Sequence, residues 1–370
     1  MKLFTCSSCH ETVYFENSLC THCGHALAYV AEFDALASLE PVAGAAPGTF
    51  VSLEPSMMKG RVRMCGNNID HGACNWALPE SDTHRFCQAC RLNEIIPNLS
   101  EPDSKAAWIR IEQAKRRLMY QLLALGLPVV PRSEQPNGVA FAFKRDLPGE
   151  EKVMIGQEQG LITINIAEAD SPFREKARLS LGESYRTLLG HFRHEIGHYY
   201  CERLVIDSPF VDDFRKIFGD ERASYDEAVA IHYRDGAPAD WPSNFVSSYA
   251  TMHPHEDWAE TWAHYLHIVD TLETARNLGI ELRAKVDKNQ KEKQALSVVA
   301  KRVNFANFDD LIRAWVPLTI GLNNLNRSMG LRDLYPFVVP APAIEKMRFV
   351  HQVIEKSGSP SAISRIAAPR

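Results

Sequence analysis

Residues 187–201 read TLLGHFRHEIGHYYC, and this stretch decides the class of fold. Its apolar side chains recur three and four positions apart, which indicates an amphipathic helix. Residues four apart on a helix lie one turn apart on the same face, so we expect His194 and His198 to present their imidazoles together. Glu195 follows His194 directly and lies at the edge of that face. The stretch therefore predicts a helix that carries two metal-binding nitrogens and a carboxylate beside them.

The five residues from His194 to His198 form an HExxH motif. Two imidazoles in this arrangement hold zinc, which lowers the pKa of its bound water, and the glutamate removes the proton as that water attacks a carbonyl. We therefore predict that Glu195 is the general base of a peptide hydrolysis, and that Gly197 leaves space beside the ion. His191, one turn before Glu195, competes as a ligand, although packing or support of a ligand is its more natural role. A surface helix with polar side chains is the alternative for the whole motif.

Cysteine spacing predicts two further metal sites near the N-terminus. Eight of the nine cysteines lie within the first 90 residues, mostly in pairs separated by two residues. This spacing lets two thiolates bind one tetrahedral ion, and zinc is the usual occupant. The first predicted set is Cys6, Cys9, Cys20 and Cys23, with His10, His22 and His25 as substitutes, and the second is Cys65, Cys74, Cys87 and Cys90, with His71 and His84 as substitutes. Each set predicts one structural zinc.

The overall composition is that of an ordinary globular protein. The chain has 370 residues, 45% of them hydrophobic, and a formal net charge of -5. Such a composition excludes global disorder, and the slightly acidic balance disfavours nucleic acid as the main partner. The N-terminus reaches Cys6 and charged residues before an apolar segment forms, and no stretch of about 18 apolar residues follows. We therefore expect no secretion signal and no membrane span, and a cytoplasmic location in which thiols stay reduced.

The remaining patterns predict an α+β fold, with a mostly helical zincin-like domain and a small antiparallel sheet. Three short runs, at 138–146, 151–160 and 161–170, are rich in alternating or β-branched residues and are separated by turn signals. We expect Leu161 to Ile166 to be an edge strand on which an extended peptide pairs.

The predicted domains are a zinc ribbon at 1–30, a linker or irregular arm at 31–60, a second four-cysteine module at 61–100, the zincin-like domain at 101–345, and a C-terminal helix with a flexible tail at 346–370. The charged run at 285–294 predicts a solvated helix face.

A second helix, within residues 247–275, offers the third ligand that a catalytic zinc needs. Trp258, Trp262 and Leu266 recur four apart on one stripe, which indicates a buried aromatic face. An adjacent stripe carries Glu256, Glu260 and His264. Both glutamates are candidate ligands; Asp257 is expected to point away, and His253 or His255 would produce an unusual site of three histidines.

The order Glu256-x-x-Ala-Glu260 resembles the glutamate-bearing helix of gluzincin metallopeptidases. This resemblance implies that Glu256 binds zinc and that Glu260 supports a histidine ligand. In gluzincins of the lethal-factor type, a tyrosine lies seven residues before the ligand glutamate and stabilises the oxyanion. The resemblance therefore implies that role for Tyr249. A packing tyrosine is the alternative.

The chain as a whole resembles the bacterial zinc-binding metallopeptidases that carry an N-terminal zinc ribbon. The resemblance extends from residue 1 to about 345 and rests on long motifs: CNW at 74–76, FCQACRLNEIIPNL at 86–99, YRTLLGHFRHEIGHYY at 185–200 and YATMHPHEDWAETWAHYLH at 249–267. Cys201 departs from the pattern, since an aromatic residue is expected after the tyrosine pair. The resemblance implies a zinc-dependent peptidase that acts on peptides or proteins, with one catalytic and two structural zinc ions.

Two other functions are compatible with the sequence. The ribbons are candidates for a protein- or nucleic-acid-binding module attached to an inactive zincin domain. The intact Glu195 argues against this, because only catalysis needs that carboxylate. Thiol chemistry at Cys201, with His198 on the preceding turn, is the other alternative, but His198 is better used by a metal.

Overall fold

The computed structural model describes residues 1–58, 60–180, 183–283 and 297–358, which divide into two compact units. The first unit comprises Met1–Leu123, Val129–Gly156 and Gly160–Ser171, and the second comprises Ala124–Pro128, Gln157–Gln159 and Pro172–Arg370. The predicted flexible tail after residue 358 and the charged run at 285–294 lie outside the described residues. Within the described ranges, no helix has the length and apolar character that crossing a membrane requires.

The first unit begins with the cysteine-rich region and an antiparallel sheet. A short hairpin, β1 (Phe4–Thr5) with β2 (Thr12–Val13), carries the first cysteines. A five-stranded sheet follows in the order β3 (Ala26–Val30), β4 (Ala35–Pro41), β5 (Thr49–Ser52), β6 (Arg61–Met64) and β7 (Ala77–Pro79), and helix α1 (Gly66–His71) connects its last two strands.

The prediction of a linker or irregular arm at 31–60 is wrong, because β4 and β5 lie there. Several of the Pro and Gly residues that suggested an irregular segment lie in the connection between these strands, where Gly44 and Gly48 have positive φ angles of 74° and 84°. Leu39 of β4 is 1% exposed and packs with Val62 of β6 in the core of the sheet. Burial of these apolar side chains stabilises the strands, although nearby turn residues make the strand pattern hard to recognise in the sequence.

A second sheet has four strands, β8 (Asn93–Ile95), β9 (Ala140–Lys144), β10 (Gly156–Glu158) and β11 (Leu161–Asn165). Helix α2 (Ser104–Ala124) lies between β8 and β9 in the sequence. The strand order is β10-β11-β9-β8, and both β8 and β11 run parallel to β9. Helix α2 and most of this sheet therefore belong to the first unit, whereas the sequence placed the domain boundary near residue 100.

Two predictions about this sheet are wrong. It is not antiparallel, because β8 and β11 both pair with β9 in parallel. Only β10 and β11 are joined by a two-residue turn, in which Gln159 and Gly160 both have positive φ, as tight hairpins require. Leu161 to Asn165 is not an edge strand either, since β11 lies between β10 and β9.

The second unit is mainly helical, which confirms the α+β fold class. Its described helices are α3 (Ser171–Ser180), α4 (Leu188–Cys201), α5 (Val211–Phe218), α6 (Tyr225–Asp235), α7 (Pro254–Asn277), α8 (Phe308–Ser328) and α9 (Ala341–Ser357), and β12 (Glu281–Arg283) pairs antiparallel with β13 (Ser297–Val299) in a two-stranded sheet. Helix α7 packs against α4, α8 and α9. Its predicted aromatic stripe is buried, since Trp258, Trp262 and Leu266 are each 0% exposed.

Helices α4 and α7 approach each other closely at Gly197. A Cβ atom on Gly197 would lie 3.1 Å from the Cα atom of Ala259 and 3.3 Å from two side-chain atoms of Trp262. The indole nitrogen of Trp258 also donates a hydrogen bond of 2.8 Å to the Gly197 carbonyl. Gly197 therefore permits contact between the helices. The expectation that it leaves space beside an ion is wrong.

Candidate metal centre

Helices α4 and α7 bring together His194, His198 and Glu256, whose potential ligand atoms all lie within 4.8 Å of one another. The two Nε2 atoms are 3.2 Å apart, and Oε2 of Glu256 lies 2.9 Å from Nε2 of His194 and 3.5 Å from Nε2 of His198. The first two residues lie one turn apart on α4, as their spacing predicts. Glu256 lies in the first turn of α7.

The chemistry of this group fits zinc. Oε2 of Glu256 is buried and accepts no hydrogen bond, although the residue is only 2% exposed. A buried carboxylate oxygen without a donor is costly unless a cation takes the donor's place. Two imidazole nitrogens and one carboxylate oxygen form a donor set of catalytic zinc sites, in which the fourth position stays open. The orphaned oxygen is therefore explained if the group holds a zinc ion.

Strong mutual attraction links the same three side chains. Burial opposes charge on Glu256, but the neighbouring His198 and His194 imidazoles hold the pKa of its carboxyl well below the ordinary value. Burial also opposes charge on His194, yet its contacts with Glu256 and Glu260 raise its pKa well above the ordinary value. A cation between these groups would satisfy the same carboxylates while the imidazoles bind as neutral ligands.

Glu260 contacts the opposite side of the His194 ring. Its Oε1 atom lies 2.8 Å from Nδ1 of His194, while its Oε2 atom accepts a 2.6 Å hydrogen bond from the Ser247 hydroxyl. Such a contact fixes the proton on Nδ1, which leaves Nε2 free to bind a metal. The structure thus gives the two candidate glutamates different positions: Glu256 faces both Nε2 atoms, and Glu260 faces Nδ1.

The other candidate ligands lie elsewhere. Asp257 pairs with Lys346 at 2.6 Å, and Nε2 of His253 lies 3.1 Å from the Ala223 carbonyl oxygen. His191 and His255 are also absent from the ligand groups found among the described residues. Of the candidates on these two helices, only His194, His198 and Glu256 converge.

Glu195 is buried beside the three converging residues, with 8% of its surface exposed. Burial raises the pKa of its carboxyl, and the nearby His194 and His198 lower it. A carboxylate in a poorly hydrated position next to an open metal site is suited to take a proton. The position of Glu195 is therefore compatible with the predicted role.

Two tyrosines lie near the group. The ring of Tyr249 is 5.9 Å from the ring of His194, measured between centroids, and burial together with the charge of Glu256 raises the pKa of its phenol, which stays protonated. Tyr225, on α6, donates a 2.8 Å hydrogen bond from its hydroxyl to Oε1 of Glu256. Sequence analysis missed Tyr225, because no motif spacing relates it to a glutamate 31 residues later.

The first four predicted cysteines also converge, with all four sulfur atoms within 4.8 Å of one another. Cys6 lies 3.6 Å from Cys23, and Cys9 lies 3.7 Å from Cys20, between sulfur atoms. Four thiolates at about 2.3 Å from a tetrahedral zinc are separated by about 3.8 Å, so these distances fit one ion. The histidines that follow these cysteines are not part of the group.

The second set, Cys65, Cys74, Cys87 and Cys90, converges in the same way and is fully buried. Cys74 and Cys87 are 3.8 Å apart between sulfur atoms. Arg116 of α2 is only 5% exposed and donates a 2.6 Å hydrogen bond to the Ala73 carbonyl. Burial opposes its charge, but Cys74, the Glu112 carboxylate and the other nearby thiols raise the pKa of its guanidinium. A buried cation thus lies beside a group that becomes anionic when it holds zinc.

Cys201 lies at the end of α4 and has no exposed surface. Burial raises the pKa of its thiol well above the ordinary value. A reactive cysteine needs a lowered pKa and access to solvent. Cys201 therefore has the properties of an unreactive core residue.

Comparison with known proteins identifies the family of the chain. A family model described as "Putative zinc-binding metallo-peptidase" matches residues 104–353, and one described as a zinc-ribbon domain matches residues 3–101. Uncharacterized proteins of Mycobacterium bovis and of two Mycobacterium tuberculosis strains are 41% identical to the chain over 357 residues, which cover 96% of each sequence. No solved structure matches. The resemblance drawn from the motifs is thus confirmed, and the chain belongs to this family of zinc-binding metallo-peptidases with an N-terminal zinc-ribbon domain.

Proposed function

We propose that this protein is a zinc-dependent peptidase of the gluzincin type, in which His194, His198 and Glu256 bind the catalytic zinc. The observation that carries the proposal is the convergence of two Nε2 atoms on a buried carboxylate oxygen that accepts no hydrogen bond. Peptides or proteins are the proposed substrates, in keeping with the family. The contact between Glu260 and Nδ1 of His194 supports the same assignment, because ligand histidines commonly make such a contact.

Zinc in this group supplies Lewis acidity, which lowers the pKa of water toward 7 and polarises the substrate carbonyl. Glu195 is the proposed general base: its carboxylate accepts the proton of the attacking water. The resulting carboxylic acid then returns the proton to the amine nitrogen as the peptide bond breaks. The burial of Glu195 favours the first transfer, because a poorly hydrated carboxylate gains a proton more readily than an exposed one. The second transfer is favoured instead by the basicity of the departing amine, which is far greater than that of a carboxylate.

Tyr249 is the proposed oxyanion donor. Its phenol stays protonated, since burial raises its pKa, and its ring lies beside His194. A neutral hydroxyl there donates to the carbonyl oxygen as negative charge develops on it. One such donor is often worth about 3 kcal/mol in the transition state.

The eight clustered cysteines are proposed to hold two structural zinc ions, which gives three zinc ions per chain with the catalytic one. Sulfur separations of 3.6 to 3.8 Å support this, because they match a tetrahedral thiolate site. All nine cysteines are free thiols, and such sites need a reducing environment. A cytoplasmic location is therefore part of the proposal.

Substitution of the base tests the mechanism. Glu195→Gln keeps the shape of the side chain but cannot accept a proton, so it should retain three zinc ions and lose at least about 100-fold in hydrolysis rate. Glu202→Gln is the matched control, because Glu202 lies just beyond the end of α4 and is exposed to solvent. This variant should keep full activity. The assay is mass-spectrometric profiling of cleavage sites in a proteome-derived peptide mixture, with metal analysis of each variant.

Two outcomes would contradict the proposal. Full hydrolysis by the Glu195→Gln variant would refute the role of Glu195. No cleavage by the zinc-loaded wild-type protein across the mixture would favour a binding module with an inactive zincin domain.

A further inference from the structure

The two oxygens of the Glu256 carboxylate have different partners. Oε2 faces the Nε2 atoms of His194 and His198 and accepts no hydrogen bond. Oε1 accepts the 2.8 Å hydrogen bond from the Tyr225 hydroxyl. One oxygen is thus directed at the proposed metal, and the other is engaged by a phenol.

This division matters for catalysis because a carboxylate can offer a metal one oxygen or two. Catalytic zinc sites use three protein ligands and keep a fourth position open for water or substrate. A second oxygen from Glu256 would compete for that position. We propose that Tyr225 is a positioning residue that engages Oε1 of Glu256, so that only Oε2 is available to the metal. The inference rests on the proposed zinc site.

The place of Tyr225 in the fold supports a role for its hydroxyl rather than its ring. Helix α6 buries none of its residues, and Tyr225 itself is 43% exposed. A tyrosine whose function is packing would bury its ring. Here the ring stays accessible while the hydroxyl reaches a carboxylate that is 2% exposed. Removal of the hydroxyl alone therefore leaves no core cavity.

Two local contacts hold Tyr225 in position. Ser224 caps α6 by accepting a hydrogen bond from the backbone nitrogen of Glu227, which fixes the first turn where Tyr225 lies. His253 lies immediately before α7, with its ring 5.3 Å from that of Tyr225 and its Nε2 atom 3.1 Å from the Ala223 carbonyl oxygen. His253 thus connects the start of α6 to the start of α7, where Glu256 lies. The distance between the phenol and the carboxylate is set by both helix termini.

Tyr249 has a different geometry and does not duplicate this role. The hydrogen bond to Oε1 of Glu256 comes from Tyr225, whereas the ring of Tyr249 lies against His194 and, at 6.1 Å between centroids, against His232. The two tyrosine side chains also hydrogen-bond with each other, but Tyr225 is the donor to the ligand carboxylate and Tyr249 is the proposed donor to the substrate oxygen.

Tyr225→Phe tests the inference, with Tyr233→Phe as the matched control. Tyr233 lies on the same helix and is 66% exposed, so its variant removes a hydroxyl from α6 without touching Glu256. The catalytic metal is removed with a chelator under conditions in which metal analysis shows two zinc ions retained, and Co²⁺ is then added. Visible absorption of Co²⁺ reports its coordination number, because four-coordinate sites absorb more strongly than five-coordinate ones.

We expect Tyr225→Phe to fold and to give weaker Co²⁺ absorption than the wild-type protein. Its zinc dissociation constant, from chelator competition, should rise about 10-fold to 100-fold, as is usual when a contact to a metal ligand is lost. Tyr233→Phe should match the wild-type protein in both measurements. A merely structural role for Tyr225 would lower the thermal midpoint and leave the Co²⁺ spectrum unchanged.

Two failures are distinguishable. If the wild-type protein binds a third metal and Tyr225→Phe has the wild-type spectrum and affinity, the role of Tyr225 is refuted while the proposed function stands. If the wild-type protein binds only two zinc ions, the proposed function and this inference both fail.

Discussion

The contact between α4 and α7 at Gly197 yields a prediction that links packing to metal binding. In Gly197→Ala, the new methyl group would lie 3.1 Å from the Cα atom of Ala259, and a backbone atom cannot rotate away as a side chain can. The helices must therefore separate by a few tenths of an ångström. His194 and His198 lie on one of these helices and Glu256 on the other, so separation pulls the ligand set apart.

Gly197→Ala should change both the free energy of unfolding, through two opposing effects, and the zinc affinity of the proposed catalytic site. Overpacking costs about 1 to 3 kcal/mol, whereas replacing glycine in a helix interior returns about 1 kcal/mol. The net loss of stability should thus be about 0 to 2 kcal/mol. Metal sites, however, tolerate only about 0.2 Å in ligand distance. Zinc affinity at the proposed catalytic site should therefore fall about 10-fold or more, equivalent to about 1.4 kcal/mol or more.

Chelator competition measures this affinity, and chemical denaturation of the metal-depleted protein measures stability. Gly190→Ala is the matched control, because it lies on the same helix but the three atoms nearest to its methyl group would belong to the side chains of Thr187, Tyr185 and His267. It should keep wild-type zinc affinity. The reasoning is refuted if Gly197→Ala binds zinc as tightly as Gly190→Ala does.

Three further substitutions test other parts of the structure. Glu260→Gln removes the charge beside Nδ1 of His194, so zinc affinity at the proposed catalytic site should fall about 10-fold to 100-fold in chelator competition; unchanged affinity would show that the contact does not tune the ligand. Arg116→Gln removes the buried cation beside the second cysteine group, so that group should release zinc to a chelator faster than in the wild-type protein, with the first group unaffected; equal release rates would contradict this role. Cys201→Ala should leave zinc content and hydrolysis unchanged. Because burial raises its pKa, the Cys201 thiol stays protonated at neutral pH and should be alkylated only after unfolding or at much higher pH; rapid labelling at pH 7, detected by mass spectrometry, would refute this.

The parts of the site that lie on single helices could be predicted from the sequence, because helical periodicity is local. The spacing of His194 and His198 gave their common face, and the stripe of Trp258 and Trp262 gave the buried face of α7. The choice between Glu256 and Glu260 could not be made from spacing, since both lie on one stripe. It depends on the angle at which α7 crosses α4, which only the packing of the two helices defines.

Non-local contacts account for part of what the sequence did not predict. Strands β4 and β5 are a different case, because they pair with each other and with β3 and β6, their neighbours along the chain, and are obscured by the Pro and Gly residues in and around their connection. The parallel pairing of β9 with β11 depends on the path of residues 145–160, which include the outer strand β10. Tyr225 was missed for the same reason, since its contact with Glu256 arises from the placement of α6 and not from any periodicity.

The position of His194 shows why the register of α4 against α7 matters more than the motif alone. Glu256 and Glu260, one turn apart on α7, contact the two nitrogens of the same imidazole from opposite sides. A slide of α7 by one residue would therefore break both contacts together. The hydrogen bond from Trp258 to the Gly197 carbonyl and the close approach at Gly197 resist such a slide, because neither fits another register. An HExxH sequence on a helix without this packed partner would present two imidazoles but neither the third ligand nor the group that orients the first. We infer that the aromatic stripe of α7 contributes to metal affinity as well as to stability, because it fixes the register in which the ligands meet.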